Sequence, residues 1–267
     1  MQYIEELIKY FTDMGVSRGL AIAYLIISAL LIIMAIVAIV MRIIVMVNYL
    51  STNKVSTSTH KTSNEVAREA LDKAGLNHIQ VKKAGFLRAW FFGNCYSITK
   101  KTIFLRKTVY DKDSLTAVGL ALQKVGIAKM CEGNGKMAKT RNIMQIVGIF
   151  GPFLFIPIML VGFLADLLIL QEVGMFSIIA LVVSLAILGS GFVVTLLNIP
   201  VEKKANNMAM QMIEDGKILN EEEQKQVKKV LNTYIVAYVC EFIVTVLRIA
   251  QLVLEIVMQS QINSNKS

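Results

Sequence analysis

The sequence predicts an α-helical integral membrane protein: four transmembrane helices joined to a small cytosolic α+β domain. Three observations carry that prediction. Hydrophobic residues fill 55% of 267 positions and gather in runs, without a strand or amphipathic-helix period. Four runs are long enough to cross a hydrocarbon core, which takes about 20 apolar residues in a helix. Between 48 and 142 there are 17 Lys and Arg against 6 Asp and Glu, so the net charge of +9 is concentrated in one interval.

Residues 1–19 place Ile4, Leu7, Ile8 and Phe11 at helical spacing, either as a short interfacial helix or as a frayed terminus. Residues 20–47 form the first span. That run is far longer than the apolar core of a signal peptide, about 7 to 15 residues, and is expected to remain as an anchor. Residues 48–142 make the soluble domain, which opens on a Ser- and Thr-rich linker at 51–63. Thr62-Ser63-Asn64-Glu65 then reads as a capping box, starting a helix to about Ala74 that Gly75 stops. A strand is expected at 79–81. A β-hairpin follows, with Tyr96 to Thr99 and Thr102 to Arg106 alternating around a Lys100-Lys101 turn. Asp113 or Ser114 caps a further helix to about Met130. The remaining spans are 143–170, 175–199 and 231–258, with a second soluble helical segment at 200–229 and a tail at 259–267. Pro152 and Pro157 are expected to kink the second span.

The positive-inside rule puts 48–142 in the cytoplasm, and 200–229 with it. Both termini and the Gln171 to Gly174 turn, with Glu172, are then outside, as in a multi-pass cell-membrane protein. Lys54, Lys136, Lys139 and Arg141, close to span ends, carry this orientation, since 200–229 is balanced at six charges of each sign. The basic surface would face the bilayer and its anionic inner-leaflet lipids. Nucleic acid is not an expected partner, because no base-stacking or groove-reading module is present. Cys95, Cys131 and Cys240 have no metal or redox spacing and are read as unpaired.

Several short motifs recur in a recognisable order. They are Glu65-Val66-Ala67-Arg68 with Leu71, Gly75 and Leu76; the stretch from Tyr96 to Tyr110; Pro200-Val201-Glu202 with Ala205 and Ala209; and Lys229-Val230-Leu231-Asn232 with Tyr234. In that order, over roughly 20–258, the chain resembles the YugP-type neutral zinc metallopeptidases. The resemblance implies a zincin-like soluble domain whose motif helix reads H-E-V-G-H. In a zincin the two His bind the metal from one helix face and the Glu activates water. Here Gln123-Lys124-Val125-Gly126-Ile127 stands in that place, with Gln123 and Ile127 at the ligand positions and Lys124 at the base position. None can substitute. His60 and His78 lie outside the helix and are not spaced as a pair. The resemblance also implies a third ligand after the third span, carried over to Glu202.

The expectation is therefore no catalytic residue, no metal and no cofactor. The chain is read as a pseudopeptidase, a catalytically inactive membrane relative acting as a binding, scaffold or adaptor subunit beside another membrane protein or a protease complex. One alternative is a hydrolase with an unconventional site, though no G-x-S-x-G elbow, Ser/Lys signature or Cys/His pair supports it. Another is a transporter or channel accessory subunit. Lys124 is expected to pair with Glu202 and replace the metal's link between two segments, the alternative being two solvated charges.

In the last span Glu241, Arg248 and Glu255 recur every seven residues with Gln251 beside them. This intramembrane polar seam would pair Arg248 with acidic neighbours and give Arg42 a partner, although a transport path is the other reading. Trp90-Phe91-Phe92, with Arg88 before them, fit either a headgroup-level segment or ordinary core.

Overall fold

The computed structural model describes residues 2–170 and 174–264; the Gln171 to Val173 part of the expected outer turn, with Glu172, and the end of the 259–267 tail lie outside the described residues. The chain is mostly helical. It divides into two compact units, one built from the residues up to Ile43 and from Val239 onward, the other from Ile44 to Tyr238.

The first unit holds α1 (Gln2–Asp13), the first part of α2 (Arg18–Thr52) and the last part of α9 (Glu221–Ser264). Val16, Ala21, Met258 and Ile262 form its small buried cluster. The Ser17 amide, at the α1–α2 junction, donates to Gln261 Oε1 at 3.0 Å.

The second unit is centred on α6 (Leu115–Glu132). From Leu115 to Cys131 every residue except Lys129 is buried, so this helix is packed around its whole circumference, as a helix without an amphipathic face must be. Ser114 starts it by accepting the Ala117 amide at 3.3 Å. Around it lie α3 (Ser63–Lys73), a short α5 (Lys107–Tyr110), a three-stranded sheet and the long α8 (Met175–Asp215). The Thr62 and Glu65 capping box is complete, and α3 ends at Gly75, whose φ of +70° suits glycine.

The sheet has the order β1 (Gln80–Lys83), β3 (Thr102–Leu105), β2 (Cys95–Ser97). β1 runs parallel to β3 and β2 antiparallel to it, with Tyr96 opposite Ile103. The hairpin expected around a Lys100-Lys101 pair is instead closed by the longer loop from Ile98 to Lys101. A two-residue loop needs residues that tolerate positive φ; here only Lys101 adopts it, at 45°. The Lys101 ammonium bonds Glu132 at 2.6 Å, and Glu132 also takes the Tyr96 hydroxyl at 2.6 Å. Burial pushes the Glu132 carboxyl up, but these hydrogen bonds outweigh it and hold the group below its ordinary range.

Among the described residues three helices, α2, α8 and α9, are long and apolar enough to cross a bilayer. There are four if α7 (Lys136–Ala165) and the π-helical turn that follows it, Asp166–Leu170, count as one bent span. That run bends by 61° between Gly151 and Phe153, at Pro152, which has no amide proton for the helical ladder. Pro157 sits inside the straight second piece. Asp166, fully buried, accepts the Gly174, Phe176 and Ser177 amides at 2.8 to 2.9 Å, satisfying the open donors at the start of α8.

No helix end falls at 199/200: α8 runs through Pro200 to Asp215. Val201, Ala205, Ala209 and Ile213, every fourth residue, are buried in the same cluster as the α6 side chains, and that burial outweighs the roughly 3 kcal/mol a proline costs inside a helix. Residues 221–229 likewise belong to the continuous α9.

Gly126 marks the closest approach of α6 to α8: a Cβ there would lie 3.0 Å from the Ala205 carbonyl oxygen and 3.3 Å from its Cα. Backbone cannot yield as a side chain can. Gly126→Val is expected to lower stability by about 1–3 kcal/mol through overpacking, read as a drop in the thermal unfolding midpoint of the purified protein in detergent. An unchanged midpoint would show that the two helices separate freely.

Candidate functional site

Three helices converge on one buried carboxylate. α6 presents Gln123 and Lys124 one after the other, and α8 presents Glu202 and, four residues later, Asn206. The first turns of α7 contribute Arg141. Glu202 is completely buried, and Lys124 and Arg141 retain only 7% of their exposure each. The Lys124 ammonium lies 3.4 Å from both Glu202 oxygens. Arg141 Nη2 is nearer, donating to Oε1 at 2.7 Å. The rest of the Arg141 guanidinium is occupied by Asn198 at 2.7 Å and Gln145 at 3.3 Å. One turn along α8, Gln123 donates to Asn206 Oδ1 at 2.6 Å, and Asn206 donates to the Leu231 carbonyl of α9 at 3.0 Å. Ile127 is buried in the hydrophobic core.

The charges set one another's proton affinity. Burial pushes the Glu202 carboxyl up, but Lys124 and Arg141 together outweigh it and hold the group below the ordinary carboxylate range. Burial pushes the Lys124 ammonium down; Glu202 opposes this and Arg141 reinforces it, leaving a lowered value. Cys95 also feels both cations, yet burial dominates and raises its thiol, so it is not an activated nucleophile.

These residues do not fit a zinc ion. Zinc takes lone pairs from thiolate, imidazole or carboxylate. The Gln123 amide is engaged with Asn206, Ile127 has no donor atom, and the Glu202 carboxylate already faces two cations. His60 lies beside Asp113 at 3.7 Å and His78 beside Glu132 at 3.4 Å, neither in contact with this cluster. Among the described residues no group of three or more His, Cys, Asp and Glu is disposed to hold a metal. A cavity of about 210 Å³ adjoins the cluster, lined by Tyr49, Asn94, Arg106, Gln123, Lys124 and Tyr234 among others, with no carboxylate in its wall. It can receive a polar or anionic group.

Sequence reasoning missed Arg141 as a site residue, along with Asn198 and Asn206. The available signal was its place two residues before an apolar run, where a cation is either a topology marker or a partner for a buried acid. The polar seam is also only partly as expected. In the first unit Arg42 pairs with Glu241 at 3.0 Å, and Tyr24 donates to Glu255 at 3.1 Å. Arg248 is met by Gln251 and not by a carboxylate; Gln251 in turn reaches Ser28 at 3.2 Å. A neighbour three residues away on the same helix is within closer reach than an acid seven residues away.

A mainly helical chain with several bilayer-length helices and a small sheet beside a central buried helix defines the class. The family follows from the comparison of sequences. The chain belongs to the family described as "Putative neutral zinc metallopeptidase", whose model matches residues 26–257. It is 26% identical over 219 residues to the "Putative membrane protease YugP" of Bacillus subtilis (strain 168), covering 78% of this chain and 86% of that protein. No solved structure matches it.

Removing Glu202 strands two buried cations, whereas removing Lys124 leaves the carboxylate still paired with Arg141. Glu202→Ala is therefore expected to lower stability by about 3–5 kcal/mol, and Lys124→Met by clearly less, in thermal unfolding of the detergent-solubilised protein. Equal losses would show that Arg141 does not hold the carboxylate. A depressed folded-state affinity gives stability that is complete above the ordinary Glu value of about 4.3 and is lost as pH falls through the lower folded value. Glu202→Gln should lack that acid-side loss.

Proposed function

We propose that this chain is a catalytically inactive membrane member of its family, a pseudopeptidase that works by binding, as a scaffold or adaptor subunit beside another membrane protein or a protease complex. One observation carries the reading. The sequence has no H-E-x-x-H, and the carboxylate offered as third ligand is instead neutralised by Lys124 and Arg141, at 3.4 and 2.7 Å. Without a metal-bound water, hydrolysis lacks both its nucleophile and its electrophile. The helix remains as a packed element.

The same reading takes the bent α7 run as one span, giving four spans with 48–142 and 200–229 on the cytoplasmic side and both termini outside. The 17 to 6 excess of basic residues in the first of these segments supports that orientation. The description of the Bacillus relative as a protease favours a second reading, peptide hydrolysis at an unconventional site. Metal analysis of the purified full chain separates the two. Zinc well below one per chain is expected, unchanged by Glu202→Gln. Stoichiometric zinc lost in that variant would overturn the proposal.

A further inference from the structure

The helix α4 (Phe86–Phe92) is cut by glycines at both ends and has two apolar faces. Phe91 and Phe92 turn inward, with ring centroids 5.2 and 6.2 Å from that of Phe150 on α7. Phe150 lies seven residues into the apolar run that begins at Ile143, about 10 Å along the helix axis at 1.5 Å per residue. The other face carries Phe86, Leu87 and Trp90, exposed at 79, 70 and 72%. Phe86 and Trp90 stack at 6.2 Å, so three large apolar side chains share one uncovered surface. The α7 helix against which α4 packs has its own exposed apolar belt, Ile143, Ile146 and Val147.

We infer that α4 is a monotopic membrane hook, with Phe86, Leu87 and Trp90 embedded among lipids of the leaflet that α7 enters. Two arguments select lipid over a protein partner. The helix carrying the uncovered face is fastened through Phe91 and Phe92 to Phe150 of α7, which itself exposes an apolar belt and requires lipid. The flanking charge suits anionic headgroups: the exposed Lys82 precedes α4, whereas Lys83 is paired with Asp111 and the Arg88 guanidinium lies 4.1 Å over the Phe104 ring on the inward side, so no charge interrupts the exposed apolar face. An uninterrupted apolar face with a lysine beside it is the composition of interfacial helices. Phe92, Gly93 and Asn94, at the end of α4, also line the cavity beside Lys124. The hook therefore sets that cavity close to the same leaflet.

The inference rests on α7 entering the membrane and not on the loss of zinc. Trp90 is the sole tryptophan, so intrinsic fluorescence of the unmodified chain reports on α4 alone. In proteoliposomes of mixed phosphatidylcholine and phosphatidylglycerol, emission is expected to be blue-shifted, quenched by brominated acyl chains and insensitive to aqueous acrylamide. Quenching by acrylamide alone overturns the inference in favour of a solvated helix. Quenching by neither overturns it in favour of a protein contact, with a second copy shown by recovery of acrylamide access on dilution. A Trp90→Phe, Phe153→Trp variant places the probe on an exposed position of α7. Lipid quenching there without quenching at Trp90 sinks the hook alone; its absence at both sinks the α7 span as well.

Discussion

The carboxylate of Glu202 is the constraint around which the second unit is built. It is fully buried, and an isolated ionised carboxylate cannot remain in an apolar interior. Its neutralisation requires Lys124 on α6 and Arg141 on α7 to reach one point on α8. Three helices are thereby fixed in rotation and register, since turning any of them removes a charge partner. The neighbouring Gln123, Asn206 and Leu231 carbonyl chain adds α9 to the same arrangement. Hydrophobic packing alone would not choose this register. α6 is buried on every side, and a helix apolar all round has no preferred face.

A buried ion pair and a metal are different solutions to one problem of linkage. A metal site offers short, directional bonds to ligands that must be deprotonated. The ion pair holds through longer contacts whose attraction is set against desolvation, and its advantage is specificity of arrangement more than net stability. The geometry reflects this. The Arg141 contact is 2.7 Å and part of a fork also fixed by Asn198 and Gln145, while Lys124 sits at 3.4 Å from both oxygens. The planar guanidinium, with its fixed donors, orients the carboxylate; the ammonium completes the charge.

Much of this was legible in the sequence where one residue type has one physical use. The capping box at Thr62, the cap at Ser114 and the stop at Gly75 are local geometry, and each lies where its chemistry placed it. The nearness of Lys124 to Glu202 was legible through the family resemblance, which carries both positions over to one metal site. Arg141 was not. A cation at the edge of a span obeys the positive-inside rule equally well in water or in a core, and the sequence carries no sign of which. The continuity of α8 through Pro200 was hidden for a related reason. Proline's local penalty is visible in sequence, but the burial of Val201, Ala205, Ala209 and Ile213 that outweighs it depends on α6 lying alongside. The closure of the hairpin by a longer loop depends likewise on Glu132, from a distant helix, holding Lys101.

The cluster is not charge-balanced, and the imbalance indicates how it behaves. One carboxylate faces two cations, leaving a surplus positive charge among largely buried side chains. Arg141 cannot shed its proton, because a guanidinium stays protonated throughout the accessible pH range. Lys124 can, and both its burial and the Arg141 charge press it in that direction. An amine can donate to Glu202 as an ammonium does, so a hydrogen bond between α6 and α8 does not itself require that proton. A metal dication would behave in the opposite way, since its charge is fixed and it would drive its ligands to lose protons. The adjoining cavity is lined by Lys124 and Arg106 without a carboxylate, so its wall presents basic side chains. Gln123-Lys124-Val125-Gly126-Ile127 thus joins α6 to α8 through one buried charge contact and one amide hydrogen bond.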